Sequence, residues 1–200
     1  MRSTPMHSTL TYYNQNATQF YSTTVSVEFT ATQQRFLSHL PEPATILDFG
    51  CGSGRDTKAF LDQGYRVEAI DGSIELCKLA TIHTGIQVRH MLFQELSAVN
   101  KYDGIWACSS ILHLPKDELS GVMRKMSAAL KPNGIIYTSF KYGTFSGERN
   151  GRYFTDMTEE TFAEFIRDID ELQIEEQWIT SDARPGRGEE QWLNLILRKK

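Results

Sequence analysis

Several groups of side chains in this 200-residue chain have types and spacings that could do chemistry. Asp48 precedes glycines at 50, 52 and 54, and Asp71 ends the next apolar run. Glycine permits positive φ and lets a ligand approach the backbone closely. A carboxylate about twenty residues past such a loop is placed to accept hydrogen bonds from a ribose diol. His113 follows the run Tyr102–Leu112 and is the one general-base candidate in a sensible place. Its competing reading is a histidine satisfied by a nearby backbone carbonyl. Lys141, Arg149 and Arg152 gather among Tyr142, Phe145, Tyr153 and Phe154, either as an anion clamp or as a solvated loop.

The elements that must position these residues alternate along the chain. Ile46-Leu47 reads as a strand running into the glycine loop, and Arg55–Gln63 as a helix with Phe60 and Leu61 inward and Gly64 as its cap. Val67–Asp71 is the second strand, so both acids end strands at the carboxyl edge where α/β folds bind ligands. Ser73 caps a helix over Ile74–Thr84, closed by Gly85, and Ile86–His90 is a half-buried strand. A fourth strand begins at Tyr102. Asp117–Lys131 is an amphipathic helix, and Ile135–Phe140 is the fifth strand. Lys141–Asp156 shows no regular period, and a loop of that length is usually functional or disordered. Thr158 caps a helix bearing Phe162, Phe165 and Ile166, and strands near Ile174–Thr180 and Trp192–Leu197 flank the polar link Ser181–Glu190. Ahead of the sheet, residues 1–10 read as a frayed end. Tyr12, Tyr13, Asn16, Ala17, Phe20 and Tyr21 form a helical stripe, and a second helix buries Val25, Phe29, Phe36, Leu37 and Leu40.

The glycine spacing discriminates between nucleotides. A dinucleotide fingerprint needs a third small residue at position 55, which is Arg55. The loop is instead D-x-G-x-G-x-G, Asp48 to Gly54, followed by D-x-S-x-x-x-x-x-x-A at Asp71, Ser73 and Ala80. Together these resemble the first motifs of class I S-adenosylmethionine-dependent methyltransferases. The resemblance spans about residues 12–197 and is specific within 46–80 and 102–113. The F-K-Y-G after the fifth strand and the short N-terminal helix look most like the small tellurite-resistance-type members. The family implies a single domain over 1–200. It would be a Rossmann-like, doubly wound, mostly parallel seven-stranded sheet with a reversed C-terminal strand. A helical cap at 12–40 and a substrate-side loop at 141–156 would accompany it.

The resemblance also implies roles. S-adenosylmethionine would be the cofactor, with Asp48, Gly50, Cys51, Gly52, Gly54 and Arg55 around its amino-acid end. Asp71, Gly72 and Ser73 would serve the ribose, and Cys108 the methyl side. Phe93 and Gln94 stand where the family contacts adenine, often through an aspartate; a glutamine oxygen can accept the same bond. The helix of Tyr12 and Tyr13 either simply docks on the domain or caps the cofactor near its sulfonium. Both tyrosines, Lys141, Arg149 and Arg152 would bind the substrate, and His113 would be the catalytic base. Arg55 either reaches the cofactor carboxylate or pairs with Asp56 or another acid. Cys51 and Cys108 read as small fillers rather than nucleophiles, having no base at a recognisable spacing.

Composition narrows the partners. A net charge of −4 argues against a phosphate-tracking surface. No D/N-P-P-Y/F element, which amino-methyltransferases of DNA bases and glutamine carry, is present. The three cysteines make no metal spacing, and no apolar run is long enough to span a membrane. The expectation is a cytoplasmic monomer or homodimer acting on a small anionic or otherwise polar molecule, with no metal, nucleic acid or membrane partner. Two alternatives stay open: a nicotinamide-dependent oxidoreductase, and a catalytically silent module that binds the cofactor.

Overall fold

In the computed structural model, which describes residues 5–200, three helices precede the sheet: α1 (Pro5–Gln15), α2 (Ala17–Thr24) and α3 (Thr30–Leu37). Strands and helices then alternate as β1 (Thr45–Phe49), α4 (Arg55–Asp62), β2 (Arg66–Asp71), α5 (Ile74–Thr84) and β3 (Arg89–His90). The second half holds β4 (Tyr102–Ala107), α6 (Lys116–Ala129) and β5 (Leu130–Lys141). A hairpin of β6 (Ser146–Arg149) and β7 (Arg152–Thr155) follows, then α7 (Glu159–Ile166), β8 (Leu172–Ser181) and β9 (Gln191–Lys199). The main sheet has seven strands in the order β3-β2-β1-β4-β5-β9-β8. All pairings from β3 to β5 are parallel, and β9 runs antiparallel to both neighbours. The Rossmann-like sheet with one reversed strand matches the expectation. The order reverses between β1 and β4, so ligands are expected at the carboxyl ends of those strands.

Alternation along the strands builds two cores. Leu47, Phe49, Ile105, Ile136 and Leu195 face one side with Met123 and Met126 of α6 and Phe162 of α7. Ile46, Trp106, Ile135, Tyr137 and Ile196 face the other with Phe36 of α3 and Phe60 of α4. Central strands covered on both faces read as continuous apolar runs, as these do. Trp106 stacks on Tyr137 at 4.1 Å and donates through Nε1 to Asp56 at 2.9 Å. That bond ties the first residues of α4 to the middle of the sheet.

The helix ends follow from local chemistry. Ser73 accepts from the Leu76 amide at 3.2 Å, and Gly85 closes α5 at φ 78°. Thr158 accepts from the Thr161 amide, while the Thr161 hydroxyl accepts from the Thr158 amide at 2.9 Å. Such reciprocal caps satisfy amides that the helix itself leaves without partners.

The structure departs from the sequence expectation in several places. The strand expected at Ile86–His90 reduces to the exposed pair Arg89–His90. The second helix spans only Thr30–Leu37, leaving Val25, Phe29 and Leu40 outside it and half-buried. Residues 5–10 are helical rather than frayed, because Thr9 is buried and Met6 packs on the main core; residues 1–4 of that expectation lie outside the described residues. The aromatic stripe is divided at Asn16, whose side-chain amide donates to the Tyr12 carbonyl at 2.8 Å between α1 and α2. Most important, 141–156 is not irregular. Asn150 (φ 50°) and Gly151 (φ 77°) turn a hairpin in which Arg149 sits opposite Arg152. Asn-Gly favours a two-residue turn with positive φ at both positions, which fits the twist of paired strands.

Candidate functional site

A cavity opens at the carboxyl ends of β1, β2, β4 and β5 and encloses about 1480 Å³ of non-protein space, its mouth included. The glycine loop forms one wall. Gly50 and Gly52 take φ 87° and 56°, and the amides of Gly50 and Cys51 both donate to the Ile70 carbonyl. A Cβ at Gly50 would lie 2.5 Å from the Ser110 Cβ, so a side chain there cannot be housed without movement. Asp71 clamps the loop: its Oδ2 accepts from the Gly52 amide at 2.9 Å and its Oδ1 from the Ser73 amide at 2.8 Å. Each carboxylate oxygen keeps a further lone pair for a ligand donor. Burial raises the Asp71 pKa on balance, and the Ser73 and Gly52 amides offset only part of that rise. The fit to a ribose-bearing ligand thus rests on a glycine cradle, a strand-end carboxylate and the Leu92-Phe93 pair beside it.

The N-terminal helices lie against this wall. Asn14 of α1 accepts from the Ser73 hydroxyl at 2.7 Å. Phe20 of α2 stands 3.0 Å from a Cβ built at Gly52, and Leu10 stands 2.7 Å from one built at Gly72. Tyr153 of β7 donates its amide to the Thr9 hydroxyl at 3.0 Å, so the hairpin and α1 meet over the cavity.

The far wall is polar. Ser109 holds φ 50° at the end of β4, and its amide donates to the Ser139 hydroxyl at 2.9 Å. A non-glycine residue in that region stores strain, which concentrates at functional sites. Asn194 of β9 accepts from Tyr137 at 2.7 Å and donates to Thr180 at 3.0 Å. From the β8–β9 connection, Asp182 lines the cavity in a fork with Arg184 and also accepts from Trp192 Nε1 at 3.1 Å. Burial alone would raise the Asp182 pKa; Arg184 overcomes it and brings the group to about 2.

His113 is 6% exposed and is engaged at both ring nitrogens. Its Nδ1 lies 2.6 Å from the Tyr153 carbonyl, an acceptor only, so Nδ1 carries the proton. Nε2 therefore accepts from the Tyr13 hydroxyl at 2.9 Å. Burial lowers the His113 pKa to about 4, with Arg152 and Lys141 adding in the same direction. Burial also raises the Tyr13 pKa. A neutral phenol thus donates to a neutral imidazole. The carbonyl-satisfied histidine weighed from sequence is present, and Tyr13 occupies the nitrogen that a direct base would use.

The other sequence candidates divide. Cys51, Arg55, Gly72, Phe93, Cys108, Lys141 and Arg152 line the cavity with Tyr13, Gly50, Gly52, Asp71 and His113. Ser73 is fully buried as a helix cap beside it. Asp48 stands behind the loop, accepting from Thr57 at 2.6 Å, and burial with Asp56 nearby raises its pKa to about 8. Gly54 faces Thr84 and Ala80 and serves the packing of α4 on α5. Gln94 turns to Glu118 of α6 at 2.7 Å, so the cavity receives Phe93 but not Gln94. Arg149 pairs with Asp156 at 2.6 Å outside the cavity, and Tyr12 packs under Arg152 rather than facing in. Lys141, Arg149 and Arg152 gather around the Phe154 ring, at 5.4, 4.7 and 5.2 Å, but only Lys141 and Arg152 line the cavity. Arg55 takes the alternative weighed for it and forks onto Asp56 at 2.9 and 3.0 Å. Cys108 is raised to about 12 by burial, and the Cys51 thiol is also raised by burial, so neither is a thiolate. Sequence reasoning missed Met6 and Leu10, the shelf of Ser109, Ser139 and Asn194, and the 180–187 segment.

Comparisons with known proteins agree with this geometry. A family model described as a methyltransferase domain matches residues 46–134. A ubiquinone biosynthesis O-methyltransferase of Xanthomonas axonopodis pv. citri is 30% identical over 106 residues, covering 50% of this chain and 44% of that protein. The corresponding protein of Xylella fastidiosa is 33% identical over 103 residues, covering 48% and 41%. The chain thus spans less than half the length of these curated relatives. Among solved structures, the 1,6-didemethyltoxoflavin-N1-methyltransferase of Burkholderia thailandensis, with its namesake ligand and S-adenosylhomocysteine bound, superposes with a TM-score of 0.76. It shares 25% identity, and the match covers 95% of this chain and 85% of that one. The magnesium protoporphyrin IX methyltransferase of Synechocystis, at 18% identity and a TM-score of 0.70, shares the fold.

Proposed function

We propose that the chain is a class I S-adenosylmethionine-dependent methyltransferase and that it methylates a small polar molecule in the cavity described above. The observation that carries this reading is the two-sided cavity. A glycine cradle with a strand-end acid faces a shelf of hydroxyl, amide and cationic groups across one cavity. The matched relatives are named for ubiquinone biosynthesis and for didemethyltoxoflavin, which supports a small acceptor over a polymer.

Bound in the loop, the cofactor would supply a methyl group on a sulfonium, already a strong electrophile. What remains for the chain is chiefly positioning, which can contribute roughly 7–11 kcal/mol to lowering a barrier. Asp71, which keeps the loop closed through the Gly52 and Ser73 amides, would accept from the ribose hydroxyls. Phe93 and Leu92 would pack against the base, and Phe20 and Leu10 would exclude water from above the loop. The acceptor lies between Tyr13 and the Ser109–Ser139 shelf. Tyr13 is the residue that touches it; His113 is a positioning residue that fixes the direction of the Tyr13 hydroxyl. With its pKa lowered to about 4 and both ring nitrogens engaged, His113 is neutral and weakly basic at neutral pH.

The test is formation of S-adenosylhomocysteine from S-adenosylmethionine against phenols, hydroxybenzoates and nitrogen heterocycles, with an oligonucleotide and a folded protein as polymer controls. Turnover on small molecules alone is expected. Methylation of a polymer with no small molecule accepted would overturn the proposal.

A further inference from the structure

Five lysine or arginine side chains line the cavity, and four of them meet carboxylates. Arg55 pairs with Asp56 at 2.9 Å, Arg184 with Asp182 at 2.5 Å, and Lys141 and Arg187 share Glu190 at 2.7 Å each. Arg152 has no carboxylate partner among the described residues. Its guanidinium lies over the rings of Tyr12 at 4.4 Å, Phe154 at 5.2 Å and Tyr13 at 5.8 Å. Among the described residues its one hydrogen bond, from Nη1 to the Tyr13 hydroxyl, is long at 3.5 Å. Its Nε is buried with no acceptor. Buried donors on a charged group are normally satisfied, so an orphan at a cavity wall asks for a partner from outside the chain.

The acids around the cavity point the same way. Asp56 is held by Arg55, Gln33 and Trp106, Asp71 by two backbone amides, and Asp182 by Arg184 and Trp192. The imidazole of His113 already has partners at both nitrogens. The cavity thus offers an uncompensated cation beside Tyr13 and no free carboxylate to balance it. Aromatic rings around the guanidinium displace water and strengthen its attraction for an anion.

Resting on the methyltransferase reading, we propose that the acceptor binds as a small anion whose charged oxygen is gripped by Arg152, with the Tyr13 hydroxyl as second contact. Arg152, not the Lys141–Arg149–Arg152 group as a whole, is then the specificity-determining cation. Arg149 lies opposite it in the hairpin but is neutralised by Asp156 at 2.6 Å. The anionic oxygen is either a carboxylate or an ionised ring hydroxyl, and matched probes separate the two sources.

The experiment titrates probes into protein loaded with S-adenosylhomocysteine and reads affinity by calorimetry. Salicylate against salicylamide isolates the carboxylate. Nitrocatechol against catechol, at a pH where only the first is ionised, isolates the hydroxylate. In at least one pair the anion should bind about tenfold tighter or more, the effect of one charge-assisted contact. Arg152→Gln should erase that preference, and Arg152→Lys should restore part of it. Affinity for S-adenosylhomocysteine should be unchanged in both variants, which also shows that they fold. Equal binding of anionic and neutral members by the unaltered protein would overturn the proposal. So would a preference that survives in Arg152→Gln. Failure of S-adenosylhomocysteine to bind at all would instead remove the methyltransferase reading on which the proposal rests.

Discussion

The buried His113 makes the cavity wall sensitive to acid. Burial lowers its pKa from 6.5 to about 4, so between those values the unfolded chain binds a proton that the folded chain refuses. Stability from this group is therefore complete above pH 6.5, and it is lost as the pH falls toward 4. At about 1.4 kcal/mol per pH unit, the loss approaches about 3 kcal/mol. His113→Gln removes the titrating group and keeps a polar side chain near the Tyr13 hydroxyl and the Tyr153 carbonyl. Urea unfolding at successive pH values gives the free energy for both proteins. The expected outcome is a gap between them that shrinks by about 3 kcal/mol from pH 7 to pH 4, the native chain losing the stability. Other acids titrate in the same range, but they do so in both proteins and cancel in the difference. Parallel curves would refute the claim that His113 is held neutral by burial.

Two further outcomes follow from the geometry. Gly50→Ala combines a left-handed backbone with a Cβ 2.5 Å from Ser110, whereas Gly64→Ala has the same sign of φ and open space. The first should cost about 2–5 kcal/mol in denaturant unfolding and the second about 1–2, and equal costs would show that the loop can move away from Ser110. In hydrogen exchange, amides of α1 and α2 should gain protection when S-adenosylhomocysteine binds, because Leu10 and Phe20 lie against Gly72 and Gly52. Equal protection with and without the ligand in both helices would exclude a covering role.

What was legible in the sequence was local. The glycine loop and Asp71 could be read because positive φ and a strand-end acid are requirements of a few consecutive residues. The sheet could be read because buried parallel strands are continuous apolar runs separated by amphipathic helices. The hairpin had a signal, Asn150-Gly151, that the absence of a longer period obscured. The rest depended on tertiary choices. Arg149 and Arg152 are alike in sequence and both lie over aromatic rings, and only the fold gives Asp156 to Arg149 and leaves Arg152 without a carboxylate among the described residues. Polar link residues such as Asp182 and Arg184 resemble any solvated connection until β8 and β9 bring them to the cavity. Gln94 was placed on the cavity by analogy, and its bond to Glu118 takes it elsewhere.

The central claim is that the loop from Asp48 to Gly54, closed by Asp71, holds S-adenosylmethionine. Calorimetric titration of S-adenosylhomocysteine into the native protein and into Asp71→Ala tests it directly, with NAD as comparator. The native protein should bind S-adenosylhomocysteine and not NAD. The variant, checked to be folded, should bind about 10- to 150-fold more weakly, the loss of a charged hydrogen bond worth about 1.5–3 kcal/mol. Unchanged affinity in the folded variant, or binding of NAD in place of S-adenosylhomocysteine, would contradict it.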